Sequence, residues 1–373
     1  MTFDTRPSPR LLFGPGRIAE LADCVRSLGC SKPLIVTDPG IVAAGHVDRA
    51  CCILDRHGLR AEVFENTHVN PTETDIEECR DFARQLEPDC LIGLGGGSSL
   101  DTAKGCNFLL HHPEKRMRDF RGYGHATAPM LPFIAVPTTA GTGSECQSYA
   151  VVSRDETHEK MACGDPGALA RIALLDPELT LSQPRTIATL TALDALSHAI
   201  ESAVCTRRNP VSSASSLQAF RLLSASIEPL LRGEATDTDR ANLLLGAAMA
   251  GSAIENSMLG AAHATANPLT ARHDLAHGLA VWTMLPHVVR FNAADTATAA
   301  IYDDLSRNLE HPLAAWLDHI LSLADLPAVE IPPQQLPQLA ADAAEQWTGR
   351  FNPRPLTPEA ITGLYESALL TVA

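Results

Sequence analysis

Glu87-Pro-Asp-Cys-Leu-Ile-Gly-Leu-Gly-Gly-Gly-Ser-Ser-Leu-Asp-Thr-Ala-Lys104 sets a strand, a glycine turn and a helix start in immediate succession. The apolar run from Cys90 to Leu94 does not alternate, as in a strand buried on both faces of a parallel sheet. Gly95, Gly96 and Gly97 let the backbone turn tightly and approach a ligand closely. Ser98 is expected to cap the helix that follows, with Asp101 three residues on completing a capping-box-like pair. The amide groups and positive dipole end of that helix invite a pyrophosphate. The string departs from the common dinucleotide fingerprint. Ser98 takes the third glycine position, and the strand-ending acid Asp38 comes 57 residues before Gly95, where the fingerprint has its acid about 20 residues after.

Outward from this string, Lys32–Asp38, Arg60–Phe64 and Pro132–Val136 read as further strands, with helical patterns at 18–28 and 74–86 between them. Such a βαβ series gives a parallel sheet with helices on both faces. A second turn, Pro137-Thr-Thr-Ala-Gly-Thr-Gly-Ser-Glu145, follows the strand ending at Val136. Its hydroxyls at Thr138, Thr139, Thr142 and Ser144 suit a ribose, a phosphate or an amide. Two such loops on consecutive apolar strands place a ligand crevice at the carboxyl ends of the sheet. For Asp38 two readings stand. It hydrogen-bonds a ribose hydroxyl and repels a 2′-phosphate, favouring NAD over NADP, or it is a turn residue before Pro39-Gly40.

From about Thr186 the chain becomes rich in Ala and Leu, with helical patterns at 186–204, 210–231, 237–258 and 294–325. The expected architecture is an α/β nucleotide-binding domain over 1–180 and an all-helical domain over 181–373. In the helical half, Asp194 and His198 lie four apart and share one helix face. His263 and His277 bracket a segment containing Pro268 and are expected from a helix end and the loop after it. Three imidazoles and a carboxylate suit Fe(II), Zn(II) or another borderline divalent ion.

The formal charge of -15, with no offsetting basic cluster, argues against nucleic acid and anionic membrane as partners and for a small molecule. There is no long uncharged apolar stretch and no signal-like N-terminus, so a cytoplasmic location is expected. The ten cysteines have no CxxC pair or framework spacing and read as reduced residues.

Together these strings resemble the iron-containing, group III alcohol dehydrogenase family. The resemblance runs from Leu12-Phe-Gly-Pro-Gly16 through Val36-Thr-Asp38 and both glycine loops to His277-Gly-Leu-Ala280 and Leu285-Pro-His287. It implies a Rossmann-like N-terminal domain, a helical C-terminal domain with the active site between them, and a superfamily architecture shared with dehydroquinate synthase. It implies metal ligation by Asp194, His198, His263 and His277. The pyrophosphate would lie on the loop of Gly95, Gly96, Gly97, Ser98, Ser99 and Asp101, the nicotinamide half on the second loop, and Lys160 near the nicotinamide ribose. A homodimer is the family habit.

One position departs from the pattern. Asn267 stands where members that oxidise small alcohols carry a second histidine, and a carboxamide does not titrate near neutrality. His273, Asp274 or a water chain would then carry the proton. The implied reaction is hydride transfer between nicotinamide C4 and an alcohol or carbonyl. Its rivals are dehydroquinate synthase or glycerol-phosphate dehydrogenase chemistry, a glycerol dehydrogenase reaction on a polyol, metal-independent reduction of an oxo-acid as in maleylacetate reductases, and a non-catalytic nucleotide-binding protein. Arg272 is the only Lys or Arg between His263 and His277, which counts against a phosphorylated substrate.

Overall fold

The computed structural model describes residues 3–6 and 8–369. Nine strands are found among these residues: β1 (Arg10–Phe13), β2 (Pro33–Val36), β3 (Glu62–Phe64), β4 (Cys90–Gly95), β5 (Gly122–Tyr123), β6 (Phe133–Pro137), β7 (Tyr149–Ser153), β8 (Lys160–Gly164) and β9 (Ile172–Leu175). Six of them form one parallel sheet in the order β1-β9-β6-β4-β2-β3. The chain proceeds from β2 outward to β3, then returns to β4 and builds the other side. The carboxyl ends of β2 and β4 therefore flank the point where the winding reverses, the usual ligand crevice of an open α/β sheet. The sequence patterns anticipate β2, β3, β4 and β6; β1, β9 and the small sheet β5-β8-β7 emerge only in the structure.

Alternate residues of each central strand supply two separate cores. Ile35, Ile92, Leu94, Ile134, Val136 and Leu174 pack with residues of α1 (Leu21–Ser27) and α3 (His46–Arg56) on one face. Leu34, Val36, Leu91, Phe133 and Ala135 pack with α4 (Glu73–Leu86) and α5 (Gly97–Leu110) on the other. Each fully buried Leu or Ile stabilises the fold by about 1.5–3 kcal/mol, and covering both faces requires strands without polar alternation. The short α2 (Pro39–Ala43) follows β2.

The capping expectation for α5 is corrected. β4 runs through Gly95, so the turn is a single residue: Gly96 is the N-cap, and no side chain caps the helix. Ser98 lies inside the first turn, where its Oγ accepts the Asn70 N–H at 3.3 Å. Asp101 accepts the Ser144 hydroxyl at 2.8 Å instead of reaching back to the cap.

The chain divides into two compact units between Gln183 and Pro184, and residues 3–6 belong with the second. Arg6 donates from its backbone to Asn256 Oδ1 at 2.9 Å and from its guanidinium to Glu255 at 3.1 Å. The second unit is helical: α6 (Arg185–Val204), α7 (Pro210–Arg232), α8 (Asp237–Glu255), α9 (Ala261–His273), α10 (His277–Asn292), α11 (Thr296–Leu305), α12 (Leu313–Ala324), α13 (Leu336–Ala344) and α14 (Pro358–Ala368). The long pattern at 294–325 is two helices, α11 and α12. A 3-10 turn at Ser306–Asn308 follows α11, and Pro312, which disfavours a helical residue before it, is the N-cap of α12. His263 lies at a helix end, in the first turn of α9, but His277 is not in a loop: it opens α10. Pro268 lies buried within α9 rather than ending it. Among the described residues no helix is long and apolar enough to cross a membrane.

Candidate active site: a histidine cluster and two glycine loops

α6 is twenty residues long with no Gly or Pro inside it, so its periodicity is uninterrupted and Asp194, His198 and Glu201 fall on one face. All three are buried. Asp194 Oδ1 lies 3.4 Å from His198 Nε2 and 3.6 Å from His263 Nε2, and these two Nε2 atoms are 3.1 Å apart. The ligand atoms of Asp194, His263 and His277 all lie within 4.8 Å of one another. Three helices thus bring together all four residues singled out by spacing. Gly278 makes the last approach possible, since a Cβ there would stand 2.4 Å from the Leu190 carbonyl oxygen of α6. Without that side chain α10 closes on α6 and carries His277 to the cluster.

Glu201, which the sequence reading did not single out, supports the cluster from behind. Its Oε1 accepts the Ala262 N–H at 2.7 Å in the first turn of α9, and its Oε2 accepts His263 Nδ1–H. With Nδ1 held by Glu201, Nε2 of His263 faces Asp194 and His198. The available signal was the i+3 spacing from His198.

Burial opposes charge on both His263 and Asp194. The carboxylate of Glu201, then that of Asp194, overrides it for His263, which is pushed up to about 9. For Asp194 the neighbouring His198, followed by His263 and His277, prevails and holds the carboxyl well below the usual range. Asp194 Oδ1 is buried without a hydrogen-bond partner. An orphaned carboxylate oxygen facing imidazole nitrogens, with a second buried carboxylate behind, is a donor set that fits a divalent cation.

In the α/β unit the two glycine loops pack against each other. A Cβ on Gly96 would stand 3.3 Å from Thr139 Cγ2, and one on Gly97 would stand 2.7 Å from Thr142 Cγ2. The Thr138 N–H donates to the Gly95 carbonyl at 2.9 Å, while Thr138 Oγ1 is buried without a hydrogen-bond partner. Asp38 is the N-cap of α2, accepting the Gly40 and Ile41 amides at 2.9 and 3.2 Å through Oδ1. Its Oδ2 accepts the Ser99 hydroxyl at 3.1 Å. One carboxylate therefore performs the turn role and also ties the end of β2 to α5.

Beneath the loops lies Lys104, fully buried, whose importance the sequence did not reveal. Its Nζ donates to the Ser144 carbonyl at 2.6 Å, to Ser144 Oγ at 2.7 Å and to the Tyr149 carbonyl at 2.9 Å. The Ser144 hydroxyl is thus engaged internally, between Lys104 and Asp101. Burial raises the Asp101 carboxyl above its ordinary value against the pull of Lys104. Neighbouring Glu145, also buried, is pushed up to about 7 by desolvation.

Residues 8–177 match the iron-containing alcohol dehydrogenase family, and residues 188–369 match the C-terminal part of the Fe-containing alcohol dehydrogenase family. The chain is 31% identical to lactaldehyde reductase of Escherichia coli (strain K12), over 95% of this chain and 97% of that protein. It is 30% identical to the NAD-dependent methanol dehydrogenase of Bacillus methanolicus, over 97% and 98% respectively. The structure of an alcohol dehydrogenase from Oenococcus oeni aligns with a TM-score of 0.91 at 28% identity, covering 98% of this chain and all of that one. The chain belongs to the iron-containing alcohol dehydrogenase family. As a member it is an NAD-linked oxidoreductase that interconverts an alcohol and its carbonyl compound.

Three residues that the family resemblance brought forward are placed as follows. Lys160 opens β8 and pairs with Ser153 of β7. Asn267 lies on α9, one turn beyond His263, with its amide donating to Gln346 at 2.9 Å. His273 ends α9; its Nε2 has no hydrogen-bond partner, and burial, helped by Arg272, holds it below the usual histidine range.

Proposed function

We propose that the chain oxidises a small primary alcohol, or reduces the matching aldehyde, using NAD in preference to NADP. Fe(II), or Zn(II) in its place, would be held by Asp194, His198, His263 and His277. The observation that carries this reading is the convergence of those four side chains, three of them buried and His277 half-buried, with Glu201 holding Nδ1 of His263. The two relatives named for lactaldehyde and methanol support a compact substrate. In this reading the unit ending at Gln183 binds the nucleotide and the helical unit binds the metal.

When bound, the divalent ion supplies a Lewis acid that lowers the pKa of an alcohol and polarises a carbonyl. The nicotinamide, when bound, supplies the hydride chemistry. Asp194 contributes the single negative charge of the ligand set, so a +2 ion there keeps a net positive charge. The uncapped first turn of α5, at Gly97, Ser98 and Ser99, offers amides to a pyrophosphate. Asp38 faces a ribose with its charge and disfavours a 2′-phosphate, Thr138 offers a hydroxyl, and Lys160 stands near the nicotinamide ribose. Asn267 is engaged by Gln346 and does not titrate. His273, neutral near pH 7 with Nε2 unengaged, is the acceptor we assign to the alcohol proton. A cytoplasmic homodimer completes the reading, supported by the open edge strand β1 and by ten free cysteines; light scattering tests the dimer.

The test is metal removal. Stripped protein should lose NAD-linked turnover of short alcohols and regain it with Fe(II) or Zn(II). Turnover that survives confirmed metal removal overturns the metal assignment, and equal kcat/KM with NADP overturns the role of Asp38.

A further inference from the structure

Lys104 carries a full charge into a site with no exposed surface. A buried ammonium is costly unless its donors are met, and here Nζ donates to two carbonyls and a hydroxyl. Two of them belong to Ser144, the hydroxyl that closes the second glycine loop, and the third is the backbone of Tyr149 where β7 begins. The Ser144 hydroxyl in turn donates a hydrogen bond to Asp101, one turn before Lys104 on α5, and Asp101 lies 3.8 Å from Nζ. Helix α5 is the helix whose first turn forms the other loop. The Lys104–Ser144–Asp101 triangle therefore joins the two loops from below, while Gly97 and Thr142 meet from above. A methionine would fill the same volume without the charge, so packing alone does not account for the lysine.

We propose that Lys104 is a positioning residue for the dinucleotide, a buried clamp that holds the second loop at a set distance from the first turn of α5. The proposal rests on the reading that these loops bind NAD. Its effect is selective. Ligands held by the first turn of α5 alone, such as ADP, need only that helix end, whereas NADH must engage both loops at once, and loosening one loop removes preorganisation for the second half of the ligand only.

The test uses the metal-loaded full chain and its Lys104→Met and Ser144→Ala variants, with dissociation constants for NADH and ADP from titration calorimetry. In Lys104→Met the NADH constant should rise about 10- to 100-fold, the span of one or two charge-assisted hydrogen bonds. ADP should change by less than about threefold, and metal content should stay at the wild-type value. Ser144→Ala keeps the carbonyl acceptor and should show the same selectivity at smaller size, so the proposal remains testable if Lys104→Met does not fold. Unchanged NADH affinity in a folded variant overturns the clamp. So does equal weakening of NADH and ADP, which marks general damage to the sheet. If the wild type binds neither ligand, the nucleotide reading fails instead.

Discussion

In the histidine cluster the groups that meet a ligand are side chains on three helices, whereas in the glycine loops they are backbone amides exposed by removing side chains. The two regions share a construction rule nonetheless. Each has one glycine that admits a close approach, Gly278 against the Leu190 carbonyl and Gly97 against Thr142. Each also rests on one buried charge, Glu201 behind His263 and Lys104 beneath Ser144. On the proposed reading the signs are opposite because the cargo is opposite: a carboxylate would strengthen imidazole ligands toward a cation, and an ammonium would fix carbonyls and a hydroxyl around an anionic dinucleotide. In both regions a buried residue of opposite character to the surface it supports lies one layer behind the groups proposed to meet a ligand.

The strongest way to break the comparison is to remove one region and ask whether the other survives. His277→Ala or Asp194→Ala should reduce turnover to background with the fold retained, because each deletes a ligand without opening a large core cavity. NADH affinity, measured by fluorescence, should be unchanged; loss of NADH binding would mean the two regions are not independent. Gly278→Ala should come next, since the obstructing atom is backbone and α10 has to shift, with metal content falling and stability dropping by about 1–3 kcal/mol. Its counterpart Gly97→Ala should do the reverse, weakening NADH while leaving the metal in place. Glu201→Gln should lower metal affinity about 10- to 100-fold, read by competition with a chelating dye; an unchanged affinity would remove Glu201 from the site.

The smallest effect concerns Glu145, whose carboxyl is pushed up to about 7 in the folded protein from a reference of 4.5. The fold favours its protonated form, so the associated stability is fully present below about pH 4.5 and is lost as the pH rises through 7. At most about 3 kcal/mol is involved. Urea unfolding at pH 5 and pH 8 should show a smaller difference in Glu145→Gln than in the wild type.

The parallel sheet and the pairing of Asp194 with His198 were legible because each rests on local periodicity: unbroken apolar runs for β4 and β6, and i, i+4 spacing for the two site residues. What stayed hidden depends on burial. Glu201 looks like any helix carboxylate and Lys104 like any helix lysine until tertiary packing removes both from water. The start of α5 was misjudged because three glycines do not reveal which of them still belongs to the strand. Pro268 pointed to a break that packing overrode: the Tyr365 hydroxyl donates to the Thr265 carbonyl at 2.7 Å, beside the Ala264 carbonyl that Pro268 leaves without its helical donor.

Asp38 bears on any attempt to retool this protein for the phosphorylated cofactor. Its carboxylate caps α2 and holds Ser99, and on the proposed reading it also discourages a 2′-phosphate, so replacing it with alanine should change selectivity and stability together, the lost cap alone costing about 1 kcal/mol. Asparagine caps a helix as well as aspartate does. Asp38→Asn should therefore narrow the NAD/NADP ratio of kcat/KM with little change in melting temperature, separating a trait under selection for chemistry from one under selection for folding.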